Sequence, residues 1–190
     1  MGLRQRRSVT FGVLVLAGAS LALGCGDEEP AKDQTVFWMQ LSTSAGQQCS
    51  STASLSLPDE TARSVIIGNG QGDRLVDGDD DVIVQCSVAP AATADQFNVS
   101  FDLSGGAVAS FSVRGTVNKV PNVPGTGSLD IDIATSQFAL NQDDCAATVE
   151  EALGGALWVS NLSCPSLRDP SSPAVECTGT GGFIIENCSR

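Results

Sequence analysis

The sequence predicts an all-β fold, an antiparallel β-sandwich or partly open barrel tied by three disulfides. Three observations carry that expectation. Apolar and polar residues alternate with period two through most of the chain, as half-buried strands require. The alternating runs are short and are separated by Gly, Pro, Asn and Asp, the residues of turns. Six cysteines remain once a seventh, at the end of an export-type leader, is set aside.

The strands follow in chain order. Phe37, Met39 and Leu41, then Ala53, Leu55 and Leu57, supply two early candidates. Val82, Val84, Cys86 and Val88 share a face. Phe97, Val99, Phe101 and Leu103 alternate with Asn98, Ser100 and Asp102; a Gly105-Gly106 turn follows, and Ala107, Ala109, Phe111, Val113 and Val117 repeat the pattern, which makes a hairpin. Leu129, Ile131 and Ile133 alternate with Ser128, Asp130 and Asp132. Residues 143–154 admit a helix capped by Asp143 or Asp144, with Ala146, Ala147, Ala152 and Leu153 in favour and Gly154 at its end. Glu150 and Glu151 would then sit at the negative end of the dipole, and Cys145, Ala147 and Val149 alternate, which tips the reading to strand. Runs from Ala156 to Leu162 and from Thr180 to Cys188 close the series, with Gly179-Thr180-Gly181-Gly182 allowing a strand to bend.

Residues 1–24 read as a leader. Arg4, Arg6 and Arg7 precede an uncharged apolar stretch from Val9 to Leu23. It ends in Leu21-Ala22-Leu23-Gly24-Cys25, which resembles the lipobox cleaved by the bacterial lipoprotein signal peptidase, with Ala22 where a large aliphatic residue usually stands. That resemblance implies a diacylglycerol thioether on Cys25, which becomes the mature N-terminus. A plain signal peptide and an uncleaved anchor over 8–26 are the alternatives. Residues 25–34 carry Asp27, Glu28, Glu29 and Pro30 without an apolar pattern and read as an acylated flexible tether, with a single β-domain over 35–190.

Behind an export signal, Cys49, Cys86, Cys145, Cys164, Cys177 and Cys188 read as three disulfides. The expected pairing is Cys164 with Cys177, across the proline-rich segment holding Pro165, Pro170 and Pro173, then Cys49 with Cys86 and Cys145 with Cys188. Zinc is disfavoured because no close Cys-x-x-Cys pair occurs.

Composition excludes more than it proves. The chain has 190 residues and no histidine, so Ser-His-Asp and Cys-His catalysis and histidine metal ligation are absent. A net charge of −12 argues against nucleic acid. Loss of residues 1–24 takes Arg4, Arg6 and Arg7 with it and moves that charge to −15.

The densest polar cluster contains Asp73, Asp77, Asp79, Asp80 and Asp81, with Arg74 beside them. Ca²⁺ would relieve such a concentration, and Asp77, Asp79 and Asp81 match the first three ligand positions of an EF-hand loop. Val82 stands where that loop needs glycine, and Val88 where it needs glutamate; a solvated turn is the alternative. Asp130 and Asp132 share one strand face, an arrangement that admits a carboxylate pair of the glycoside-hydrolase kind, with solvation of the wet face of a strand as the alternative. Asn98-Val99-Ser100 and Asn161-Leu162-Ser163 fit the glycosylation pattern.

The C-terminal third, Gly155-Ala156-Leu157-Trp158-Val159, Ser163-Cys164-Pro165-Ser166-Leu167, Cys177 and Gly182-Phe183-Ile184-Ile185-Glu186-Asn187-Cys188, resembles a group of cysteine-bearing bacterial surface lipoproteins of unknown function. The resemblance implies fold and address and carries no functional residues. The expectation is therefore a non-enzymatic envelope module, attached to its membrane through lipid and meeting an envelope or extracellular partner. A calcium-stabilised adhesion module and a carboxylate-based hydrolase are the alternatives.

Overall fold

The computed structural model describes residues 31–43, 49, 54–57, 74–105, 108–136 and 138–190. The leader, Cys25, Ala53, Gly106, Ala107 and Asp73 lie outside the described residues. The compact unit starts at Ala31.

Among the described residues there are ten strands: β1 (Gln34–Thr43), β2 (Ser54–Leu57), β3 (Leu75–Val76), β4 (Ile83–Pro90), β5 (Gln96–Gly105), β6 (Val108–Asn118), β7 (Gly125–Ala134), β8 (Ala139–Leu153), β9 (Ala156–Asp169) and β10 (Ser172–Glu186). From β4 to β10 each strand pairs antiparallel with the next, and β10 then pairs with β1. The sheet order is β2-β1-β10-β9-β8-β7-β6-β5-β4, with β3 on the first two residues of β1. This all-β antiparallel architecture is the one the alternation predicts. It is one nearly closed sheet rather than two separate layers.

Closure follows from where the large side chains go. Phe37 on β1 meets Phe111 on β6 with ring centroids 4.0 Å apart, and Phe101 on β5 meets Phe183 on β10 at 6.0 Å. These strands are far apart in the sheet order, so the sheet must curl for them to touch. Met39, Leu103, Leu129, Ile131, Ile133, Leu140 and Leu157 fill the same interior. Most of the predicted inward positions are buried: Val82, Val84, Cys86 and Val88, and Val99, Phe101, Leu103, Phe111, Val113 and Val117. Phe97 is half-buried against the core, and Ala109, expected on the same face as Phe111, is exposed. Residues 143–154 are strand up to Leu153, so the helical alternative is not taken.

Two corrections concern the cysteines. The bonds join Cys49 to Cys177, Cys86 to Cys188 and Cys145 to Cys164, and none of the three expected pairings occurs. The expected Cys164–Cys177 pairing rests on the prolines between them excluding strand. Instead β9 runs through Pro165 to Asp169 and turns at Pro170-Ser171. Proline is tolerated there because both neighbours depart from regular pairing beside it. The β9–β10 register shifts between Cys177 and Gly179, β8 bulges between Gln142 and Cys145, and Ser166 donates its N–H to Gln142 Oε1 at 2.6 Å instead of to a ladder carbonyl. Cys145 and Cys164 therefore face each other from neighbouring strands, both fully buried.

β1 and β10 are buried on both faces. Thr35, Val36 and Phe37 are all fully buried, and so are Phe183, Ile184 and Ile185. Val36 and Ile184 form a second small cluster on the outer face with Trp38 and Trp158. Gly182 makes room for it: a Cβ there would stand 2.5 Å from Trp38 Cζ2 and from the Val159 carbonyl. The strand-bending role expected of the glycine run thus includes close packing. On the same face Arg74 Nε donates to Glu186 Oε2 at 2.8 Å, and Gln34 Nε2 donates to the same oxygen at 2.9 Å. Both charged side chains of that pair are about nine-tenths buried. Removing one partner would strand a buried charge, so the pair specifies this outer packing.

Candidate functional site

The expected calcium loop is the turn between β3 and β4. Gly78, Asp80 and Asp81 have positive φ, which Gly and Asp accept more readily than other residues. The turn closes through Gly78 N–H to the Val82 carbonyl and Val82 N–H to the Asp79 carbonyl, both at 2.9 Å. Asp77 Oδ1 accepts the Val84 N–H at 2.9 Å, and Asp79 Oδ1 accepts from Lys32 Nζ at 3.2 Å. Asp79, Asp80 and Asp81 are exposed. Among the described residues no three carboxylates gather as a metal shell. Arg74, adjacent to this cluster in sequence, reaches the Glu186 carboxylate.

Asp77 belongs to a larger device along the outer edge of β4. An antiparallel edge strand offers N–H and C=O from alternate residues, which template unwanted strand addition unless satisfied. Here they are satisfied in series. Val84 N–H goes to Asp77, Cys86 N–H to Asp33 Oδ2 at 2.9 Å, and Val88 N–H to the Ser189 carbonyl at 3.0 Å. The Cys86 carbonyl accepts both the N–H and the hydroxyl of Ser189, and the Val88 carbonyl accepts the Gly155 N–H at 3.1 Å. The Cys86–Cys188 disulfide pins the tail that supplies these partners. Sequence reasoning assigned Asp33 to the tether. It is a structural acceptor in the barrel, and Asp77 is another.

Asp130 and Asp132 point outward and are exposed. Asp130 Oδ1 accepts the Asp144 N–H at 3.1 Å, and Asp132 Oδ2 accepts the Ser112 hydroxyl at 3.4 Å. Both sit on the outer wall, held by polar neighbours of the same sheet. Asn98 and Asn161 are exposed on that wall as well.

Among the described residues a concavity lies elsewhere, at the end of the barrel where the β4–β5, β6–β7 and β8–β9 connections meet. It is a cleft of about 700 Å³ walled by Pro90, Ala91 and residues 93–97, by Lys119 and 121–124, and by Glu150–Leu153. Lys119 Nζ donates to the carbonyls of Val120 and Val123, which braces the β6–β7 loop. A second cleft beside it shares Leu153 and is lined by Ala31, Gly154, Gly155 and the tail residues Asn187, Cys188 and Arg190. The start of the domain, its C-terminal tail and these loops therefore share one end. Alternation gave no sign of this cleft, because loop residues carry no periodicity.

Compared with known protein families, curated proteins and solved structures, the chain finds no match.

Proposed function

We propose that this protein is an exported lipoprotein, held to a cell-envelope membrane by acyl groups on Cys25, whose disulfide-tied barrel serves as a non-enzymatic binding or structural module. The observation that carries the reading is the accounting of cysteines. Six of the seven are bonded to one another, and the seventh stands at the Leu-Ala-Leu-Gly-Cys junction behind an uncharged apolar run. Three disulfides suit an oxidising compartment outside the cytoplasm. The interior is filled by phenylalanine and aliphatic side chains, and the polar outer wall pairs its carboxylates with neighbouring donors, an arrangement that favours presenting a surface over converting a substrate.

The test is labelled-palmitate incorporation in cells expressing the full chain. Wild type should incorporate label and run as a shortened mature form, while Cys25→Ala should accumulate unlabelled precursor. Equal labelling of the two overturns the reading. Mass spectrometry of the denatured, non-reduced mature protein should detect no alkylatable thiol among the six downstream cysteines.

A further inference from the structure

We propose that the barrel end carrying Val120, Val123 and Leu153 rests in the interface of the membrane that holds the anchor, a neutral lipid surface being what covers these apolar tips. The inference rests on the lipid-anchor reading of Cys25 and adds an orientation to it. Four large hydrophobic side chains are exposed among the described residues, and three of them are these, Val120 and Val123 on the β6–β7 connection and Leu153 at the end of β8; the fourth, Ile83, lies near Ser110 toward the other end. Val123 and Leu153 are each 53 % exposed and Val120 44 %. Pro121 and Pro124 beside them carry no backbone N–H, and Lys119 already satisfies two of the loop carbonyls, so part of the loop backbone needs no water. Asp95, Glu150 and Glu151 line the same cleft, so the apolar tips reach the interface while these carboxylates stay on its aqueous side.

The chain outside the barrel says what lies opposite. Ala31 lines the cleft that shares Leu153, so the domain begins at this same end. Six residue steps separate Ala31 from Cys25, a reach of at most ~20 Å. An acyl group embedded in the bilayer therefore holds this end, rather than the Asp169–Ser172 end, against the headgroups. The acidic wall sharpens the choice of surface: a domain of this charge is repelled by anionic lipid, whereas the apolar tips need only a neutral interface.

The experiment uses the full acylated chain reconstituted in phosphatidylcholine vesicles, with and without bromine on the acyl chains. Val123→Trp places a reporter in the tip, and Ser110→Trp places one on the exposed outer wall near the opposite end. Both substitutions are at surface positions, and unchanged melting confirms that each variant folds. The added fluorescence at position 123 should fall by about half in brominated vesicles, while that at position 110 should change no more than the native Trp38 and Trp158 background. Combining Val120→Ser and Leu153→Ser with Val123→Trp should reduce the quenching. Palmitate incorporation and vesicle flotation are read on the same samples. A labelled protein that floats without quenching at position 123 overturns the orientation alone, and so does equal quenching at 123 and 110. An unlabelled protein that does not float overturns the anchor and the orientation together.

Discussion

The two halves of the barrel wall are built by different rules. From β4 to β7 the strands are 8 to 11 residues long, the β4–β5 and β6–β7 ladders run without a register shift, and the β5–β6 ladder shifts only beside its hairpin turn, between Leu103 and Gly105. From β8 to β10 they are 14 or 15 residues long, and every ladder among them shifts register. A long strand can curl round a core only if something relieves its pleat, and an extra residue at a bulge does so while bending the strand. The regular half obtains its fit from side-chain size, the bulged half from backbone irregularity. That difference decides where each half is vulnerable.

The largest effect should come from the regular half's packing. Phe111 is fully buried and touches both Phe37 and Phe101, so it joins β6 to strands on either side of the core. Phe111→Ala should cost ~3 to 5 kcal/mol, through lost transfer energy and a cavity that a bonded ladder cannot collapse to fill. At about 2 to 4 °C per kcal/mol, melting should fall by ~6 to 20 °C with the disulfides intact. A calorimetric shift under ~2 °C would show that the core repacks freely and that regular pairing does not hold it.

That division also explains what could be read from sequence. In the regular half inward residues are spaced by two without interruption, so Val84, Val99, Phe101, Val113, Leu129 and Ile131 were legible directly. In the bulged half the inward positions are Leu140, Cys145, Ala147, Val149 and Ala152 on β8, and Leu157, Val159, Leu162, Cys164 and Leu167 on β9. Odd steps interrupt the steps of two, and a period-two reading loses phase at each one. The disulfides were misassigned for the same reason, because pairing depends on register across bulges and on a tail that returns to β4. The double burial of β1 and β10 did leave a signal in the unbroken apolar stretches Val36-Phe37-Trp38 and Phe183-Ile184-Ile185. The acceptor roles of Asp33 and Asp77 left none, since an edge-capping aspartate and a solvated one look alike in sequence.

A medium effect should appear at the bulge itself. Asp144 has φ 58° and its Oδ1 accepts the Ser128 hydroxyl at 2.7 Å. Asp144→Val should cost ~1 to 2 kcal/mol, since a β-branched residue is strained in that conformation. Asp144→Gly keeps the backbone at ease and loses only an exposed hydrogen bond, so its melting should lie close to wild type. On the regular half Ser112→Val, at an extended position, should stay within ~0.5 kcal/mol. Equal melting of Asp144→Val and Asp144→Gly would remove backbone strain from the account of the bulge.

The smallest effect lies in the turn that joins β9 to β10, the two strands of one bulged ladder. Asp169 accepts the Ser171 hydroxyl at 2.6 Å and the Ser171 N–H at 2.7 Å. These two hydrogen bonds, the hydroxyl first, hold its carboxyl below the ordinary value of 3.8, with Ser172 N–H adding to them and slight desolvation opposing. The folded form thus binds its proton less readily than the unfolded form. The resulting stability is fully present above the unfolded value, and it is lost as pH falls through the lower folded one. Because the carboxylate is exposed, water already solvates the charge, so the consequence for melting should be slight beside that of the bulge. Carboxyl-carbon NMR titration isolates it. Asp169 should titrate below 3.8 in wild type, and Ser171→Ala should move it upward. Any melting difference between wild type and Ser171→Ala should be present at pH 7 and vanish in strong acid, where both carboxyls are protonated. A midpoint that Ser171→Ala leaves in place would mean that the β9–β10 turn is held by its bulged ladder alone, without help from the aspartate.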